Sequence, residues 1–191
     1  MKLLLSQQER KFPPFFFIQD CLERAWYHVL AGHEIIVAPN IPNYQWNDIE
    51  YDCLILTGGN DSVARNLTEN HLYQQAELAN KPIVGFCHGA FAVNDLAGGI
   101  NDYFGDDSHV GTNHQIQMEE KTWIVNSYHS QYIAKLGPGF ETLAVDNDGY
   151  SEAFRHIFKP IYGVVWHPER QEKPVLPACV ADLLRTSKSQ F

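Results

Sequence analysis

No stretch of the 191 residues approaches the roughly 18 consecutive apolar positions that a membrane-spanning helix requires. Met-Lys-Leu-Leu-Leu at the start turns polar too soon for a signal peptide, so a cytoplasmic protein without a membrane partner is expected. Basic residues are scarce: 14 Lys and Arg stand against 23 Asp and Glu, a formal net charge of −9. Phosphate backbones need a basic face, so a general nucleic-acid binder is excluded and a small-molecule or protein partner is expected. Cys21, Cys53, Cys87 and Cys179 lie far apart with no C-x-x-C spacing, which suggests neither a zinc ribbon nor a disulfide framework. Reduced thiols are expected. What the chain does have is 45% apolar and 13% aromatic content, enough for one globular domain over residues 1–191.

The first half alternates in kind. Lys2 to Ser6 reads as a short buried strand, and Ile18, Cys21, Leu22, Ala25, Trp26, Val29 and Leu30 recur at helical spacing up to Gly32. Glu34 to Ala38 and Cys53 to Thr57 are further apolar runs, continuous enough for strands covered on both faces. Residues 39–50, rich in Pro, Asn and Asp, read as an irregular connection. A helix over Leu67 to Ala79 precedes Pro82 and a strand that runs into Cys87. Such alternation predicts a mostly parallel sheet with helices on both sides and ligands at the carboxyl ends of its strands. Trp123 to Val125 and Thr142 to Val145 read as β segments over those ends, and Pro174 to Leu184 as a closing helix before mobile last residues.

Three short motifs carry chemistry. Gly85 and Gly89 flank Cys87 in the G-x-nucleophile-x-G pattern, in which a strained strand-to-helix turn lifts one side chain clear of the sheet. Free cysteine is also among the most buried residue types, so the turn alone leaves nucleophile and core residue both open. Thr57-Gly58-Gly59-Asn60-Asp61 stands at another strand end. A Gly-Gly pair is often only a tight turn, but beside a nucleophile its backbone can supply an oxyanion donor. Gly59 and His88 are assigned that role. Tyr162-Gly-Val-Val-Trp-His-Pro-Glu-Arg170 places His167 and Glu169 two residues apart, and in an extended segment these point to the same side, so the carboxylate can orient the imidazole as a general base. His109 and His114 have no acidic or cysteine partner at ligand spacing, so no metal is assigned.

In these motifs the chain resembles the class I glutamine amidotransferase-like superfamily, in its triad-type members. Gly-Phe-Cys-His-Gly at 85–89 is similar to the nucleophile motif, Leu-Thr-Gly-Gly-Asn at 56–60 to the oxyanion loop, and Gly-Val-Val-Trp-His-Pro-Glu at 163–169 to the His-Pro-Glu motif. The resemblance implies a single glutamine amidotransferase-like domain with a flavodoxin-like three-layer α/β/α sandwich, a mostly parallel central sheet and added antiparallel strands. It implies catalysis by Cys87, His167 and Glu169 without a cofactor, and substrate contacts from Gly58, Asn60, Ser127, Tyr128 and His129. Phe91 stands where many members carry a glutamine that shapes the glutamyl pocket, so a γ-glutamyl conjugate rather than free glutamine is the expected substrate. Among stand-alone γ-glutamyl hydrolases the chain most resembles the γ-glutamyl-CDP-amidate hydrolases of capsule-polysaccharide pathways, which brings Arg65, His88 and Arg170 forward as contacts to a phosphate or leaving group. Two other readings remain: a glutaminase subunit that feeds ammonia to a separate synthetase, and a degenerate binding or regulatory module. A synthetase or a second copy of the chain are the corresponding protein partners.

Overall fold

A computed structural model describes residues 1–14, 17–42, 44, 46 and 48–185, and every structural count below refers to these. Lys2–Ser6 forms β1, in which Leu3 and Leu5 enter one apolar cluster and Leu4 the other. That is the two-residue period of a strand covered on both faces. Gln8–Phe12 (β2) and Phe17–Cys21 (β3) pair as an antiparallel hairpin. Ala25–Val29 (α1), Glu34–Ala38 (β4), Cys53–Leu56 (β5), Val63–Leu78 (α2), Ile83–Phe86 (β6) and His88–Leu96 (α3) complete the first half. Ile100–Tyr103 (β7), Val110–Met118 (β8), Lys121–Tyr128 (β9), Gln131–Lys135 (β10), Phe140–Asp146 (β11), Ser151–His156 (β12), Ile161–Val164 (β13) and Ala178–Leu183 (α4) follow.

Nine strands make one sheet in the order β4-β1-β5-β6-β13-β12-β11-β8-β9. The first five are parallel, and the antiparallel strands are added at one side. One face carries Leu4, Leu54, Leu56 and Ile83 against Leu72, Tyr73 and Ala76 of α2 and Ala90, Phe91 and Val93 of α3. The other carries Leu3, Leu5, Ile55, Val84, Phe86 and Val164 against Trp26 of α1 and Val180 of α4. The result is the expected three-layer α/β/α sandwich of flavodoxin-like type. No helix among the described residues is long and apolar enough to cross a membrane.

Three elements differ from the sequence reading. The helical spacing from Ile18 to Leu30 is not one helix: residues up to Cys21 pair with β2, Ile18 is 58% exposed, and only Ala25–Val29 is helical. The backbone groups of 17–21 are spent on a cross-strand ladder, so apolar spacing there has no helix face to serve. α2 begins at Val63, four residues before the expected start, because the Ser62 side chain accepts the Arg65 N–H and caps it. The closing helix begins only at Ala178, since Pro177 is extended at φ −54°, ψ 141°. Residues 186–191, expected to be mobile, lie outside the described residues.

Gly163 in β13 has a packing reason for being glycine: a Cβ there would enter the ring of Phe154 on β12. Gly163→Ala is expected to lose about 1–3 kcal/mol of stability by urea denaturation. Adding Phe154→Leu, which removes the ring, should recover part of that loss.

Candidate active site

The carboxyl ends of β5, β6 and β13 converge, and each delivers one motif. β6 ends at Phe86, and Cys87 caps α3 at φ 49°, ψ −110°, a left-handed conformation that ordinary residues rarely adopt. The flanking glycines allow it. A Cβ on Gly85 would run into the carbonyl of Gly89, and one on Gly89 into the carbonyl of Leu56 in β5. Helix and strands therefore touch backbone to backbone, and the chain between them turns so tightly that the Cys87 side chain is raised toward the strand ends. Cys87 is 6% exposed, enough to meet a cleft without standing in bulk water.

β13 leads through Trp166 to His167, where the chain enters a short 3-10 turn over Pro168–Arg170. This turn replaces the extended segment expected from the sequence, yet it brings the same groups together. His167 Nδ1 lies 2.6 Å from Glu169 Oε1, with both residues buried. The main chain of His167 is held from both sides by Asn126 of β9: its N–H donates to Asn126 Oδ1 at 2.8 Å, and Asn126 Nδ2 donates to its carbonyl at 2.8 Å. Burial pulls the imidazole pKa down, but hydrogen bonds and charge from Cys87 and Glu169 prevail and raise it to about 9. His167 thus stands between Cys87 and Glu169: the carboxylate bonds its Nδ1, and the sulfur is near enough for its interaction to raise the ring's pKa.

The glycine loop is fastened from beneath. Arg65 of α2 is fully buried, and its guanidinium donates to the carbonyls of Thr57 at 2.6 Å, Asn60 at 3.1 Å and Gly58 at 3.3 Å. With these carbonyls turned to Arg65, the loop's amides are left to face elsewhere. Gly58 lies so close to His167 that a Cβ would come 2.5 Å from Cε1, and Gly59 has φ 129° with Arg65 and Gln8 where a Cβ would go. Glu69, one helical turn on, takes Arg65 Nε at 2.9 Å and the Ser6 hydroxyl at 2.6 Å, and its other oxygen lies 3.2 Å from His88 Nε2. Burial raises the Glu69 carboxyl, while Arg65, His88 and Ser6 hold it below its ordinary range. The His88 N–H opens α3 and so has no acceptor within the helix.

A cleft of about 470 Å³ opens beside Cys87. Gly59, His88, Phe91, Tyr128 and His129 line it, with Asp61, Glu69 and Asp95 as its carboxylates and no Lys or Arg among its described lining residues. Tyr128 meets the His167 ring edge-on at 5.5 Å between centroids. Of the other residues singled out in the sequence, Asn60 is exposed and its carbonyl serves Arg65, and Ser127 is fully buried with its hydroxyl on the His109 carbonyl at 2.6 Å. The structure corrects the phosphate reading of Arg65, whose guanidinium is shut inside the protein and engaged with Glu69 and the loop. Arg170 pairs with Glu23 at 2.8 Å and lies over the Tyr128 ring. The clasp by Asn126 and the Arg65–Glu69 support were missed in the sequence: the expected helix begins at Leu67, which leaves Arg65 outside it, and an Arg and Glu four apart would in any case pass for an ordinary surface pair. His109 and His114, which have no ligand partner nearby in sequence, meet His129, Asp146 and Glu152 in space.

A cysteine on a strained turn, an imidazole–carboxylate pair and a glycine loop at the carboxyl edge of a parallel sheet define a class I glutamine amidotransferase-like protein. The Peptidase C26 family pattern matches residues 54–169, which takes in all three motifs, and the chain belongs to that family. It is 31% identical over 128 residues to a gamma-glutamyl-CDP-amidate hydrolase of Campylobacter jejuni, an alignment covering 62% of each chain. It is 34% identical over 129 residues to one subunit of the glutamine-hydrolyzing GMP synthase of Methanosarcina mazei, covering 63% of this chain and 65% of that one. The chain thus spans less than two thirds of the length of these relatives. In fold it matches a glutamine amidotransferase of Thermotoga maritima with a TM-score of 0.67 at 13% identity, over 88% of this chain and 76% of that one. Family and relatives place it in the class I glutamine amidotransferase-like group.

Two variants test the geometry. Cys87→Ala removes a hydrogen bond and a charge that raise His167, so its pKa, followed by NMR of the imidazole, should fall from about 9. An unchanged midpoint would show that the two are not coupled. Because the folded pKa lies above the ordinary 6.5, the stability this pairing contributes is fully present below about pH 6.5 and is lost as pH rises through about 9; the variant should lose less stability across that window. Arg65→Leu leaves Glu69 buried and without its cation, and should lower stability by about 3–5 kcal/mol in urea denaturation.

Proposed function

We propose that the protein hydrolyses a γ-glutamyl amide through a γ-glutamyl thioester on Cys87. The observation that carries this reading is the Cys87–His167–Glu169 line, with its nucleophile at φ 49° beside a cleft. The Cys87 proton passes to His167 Nε2, and the thiolate attacks the γ-carbonyl carbon. The resulting oxyanion is met by the Gly59 and His88 N–H groups, whose setting by Arg65 and by the start of α3 precedes substrate binding. As the C–N bond breaks, the imidazolium gives its proton to the leaving nitrogen. Water then attacks the thioester while His167 takes a proton from it, and collapse releases glutamate and restores the thiol. Glu169 holds the ring orientation throughout and stabilises the imidazolium.

The cleft's composition bears on the substrate. Asp61 and Asp95 line it with no Lys or Arg among the described lining residues, which suits the α-ammonium group of a glutamyl moiety; a diphosphate is met better outside. Tyr128 and His129 line that glutamyl end, Gly58 and Asn60 flank the lining Gly59 in sequence, and Ser127 supports the wall through the His109 carbonyl. Phe91, 4% exposed and part of the core, fills the place where a polar side chain would grip free glutamine. We therefore put γ-glutamyl conjugates of the kind named for the Campylobacter relative first, with the nucleotidyl part lying beyond the cleft mouth, and place the reaction in the cytoplasm. Similarity to a GMP synthase subunit supports a second reading, in which the leaving group is ammonia and a separate synthetase receives it.

Mass spectrometry of the wild type mixed with a panel of γ-glutamyl amides should catch a γ-glutamyl adduct on Cys87. Cys87→Ala should lose turnover by more than about 10⁴-fold while keeping the native fold. Turnover retained in that variant sinks the proposal. Cleavage of glutamine that rises steeply only with an added synthetase would favour the second reading over the first.

A further inference from the structure

Behind the glutamyl end of the cleft lies a cluster whose side chains, His129 at the cleft wall apart, the proposed reaction does not use. His109, just before β8, His129, just after β9, and Glu152 of β12 are 8%, 5% and 1% exposed, and each offers a ligand atom such that all lie within 4.8 Å of one another. His129 Nδ1 lies 2.8 Å from the Gln131 carbonyl, an acceptor only, so this nitrogen carries the proton and Nε2 presents a bare lone pair. That lone pair has no partner and faces Glu152 Oε1 at 3.8 Å. His109 Nδ1, Glu152 Oε2, Asp146 Oδ2 and both ring nitrogens of His114 are likewise buried without a hydrogen-bond partner, and the contacts among them are long: His114 Nε2 to Glu152 Oε2 at 3.5 Å and His109 Nε2 to Asp146 Oδ2 at 4.0 Å. The His109 ring is 4.7 Å from that of His114 and 5.1 Å from that of His129. Buried polar atoms are rarely left without partners, and several orphans meeting in one place call for something that satisfies them together.

We infer that His129, His109 and Glu152 bind a divalent transition-metal ion, with zinc the best match, and that His114 or Asp146 completes its coordination. Imidazole nitrogen with a carboxylate oxygen is the donor set of such ions and not of magnesium or calcium. The His129 tautomer is the one a ligating imidazole needs, with its second nitrogen tied to a carbonyl. Donors around a tetrahedral zinc stand about 3.3 Å apart, given bonds of about 2.0 Å, so atoms now within 4.8 Å of one another close by up to about 1.5 Å on binding. The ion would join the start of β8, the end of β9 and the start of β12. That span contains the segment from Asn126, which clasps His167, to His129, which lines the cleft. Its role is to set the cleft wall; the nucleophile and base lie apart from it.

The full chain, freed of metal with a chelator, is titrated with cobalt(II) and with zinc. Expected results are one ion per chain, the intense visible bands of low-symmetry cobalt, a melting temperature that rises with zinc concentration, and X-ray absorption with nitrogen and oxygen neighbours including imidazole. Glu152→Gln and His109→Ala should weaken binding by more than about 100-fold, beyond the roughly 10–100-fold that follows loss of a mere supporting residue, with far-UV circular dichroism unchanged. The inference is overturned if the wild type takes up no stoichiometric ion, if a sulfur neighbour places the ion on Cys87, or if both folded variants bind as tightly as the wild type. Should either variant not fold, the ligand set read from the wild type decides.

Discussion

The closest constraint in the molecule is the contact of α3 with the strands beneath it. Gly85 and Gly89 let the backbone of the helix start rest on β6 and on the Leu56 carbonyl of β5, with no room for a methyl group at either place. The two residues that follow Gly85 must then leave the strand and enter the helix within one tight turn, and Cys87 takes up φ 49° as a result. Strain of this kind, of order 1–3 kcal/mol, persists only where the surroundings leave no alternative. Here the Cys87 N–H is fixed to the Val164 carbonyl and the Cys87 carbonyl receives the Ala90 and Phe91 amides, so both ends of the strained residue are spent. The sulfur is consequently placed by the sheet itself.

A second fixture, built on a different principle, holds the glycine loop. Backbone contact sets the turn, whereas a buried charge sets the loop: Arg65 gathers the carbonyls of Thr57, Gly58 and Asn60, and Glu69 balances it. A buried ion pair is seldom favourable for stability by itself, because desolvating both partners offsets their attraction. Its gain here is orientation. A glycine loop has many accessible conformations, and an oxyanion hole works only when its amides already point at the developing charge. Since Glu69 also reaches His88 and Ser6, one carboxylate ties together the helix that bears Arg65, the start of α3 and the end of β1.

Much of this was legible in the sequence for a simple reason: it is local. The parallel strands are continuous apolar runs such as Leu3 to Leu5 and Cys53 to Leu56, and the motifs at their ends each fit within a few residues. His167 and Glu169 could be paired from spacing even though the expected extended backbone is a 3-10 turn, because both geometries bring positions two apart within reach. What could not be read is long-range or ambiguous. Ile18 to Leu30 mimics a helix because the apolar residues of a hairpin strand and a short helix happen to fall in register. Asn126 lies 41 residues from the histidine it clasps, and Glu152 joins His109 and His129 only through strand order. No spacing rule reaches such pairs.

The antiparallel half of the sheet can be understood from the Asn126 clasp. In strand order β9 is the far edge, with β12, β11 and β8 between it and β13, yet its Asn126 hydrogen-bonds both main-chain groups of the residue that follows β13 by three. A flat sheet would put these strands about 19 Å apart, at roughly 4.8 Å per step. The extension must therefore curl back over the carboxyl edge, as the cumulative twist of a sheet permits and as the register shifts in β8 and β11 assist. Its last strand then forms a wall for the cleft, presents Tyr128 to the edge of the His167 imidazole, and delivers His129 to the buried cluster. The parallel strands position Cys87, His167 and the glycine loop, and the curled antiparallel strands give them an enclosure; the two tasks meet at the backbone of His167.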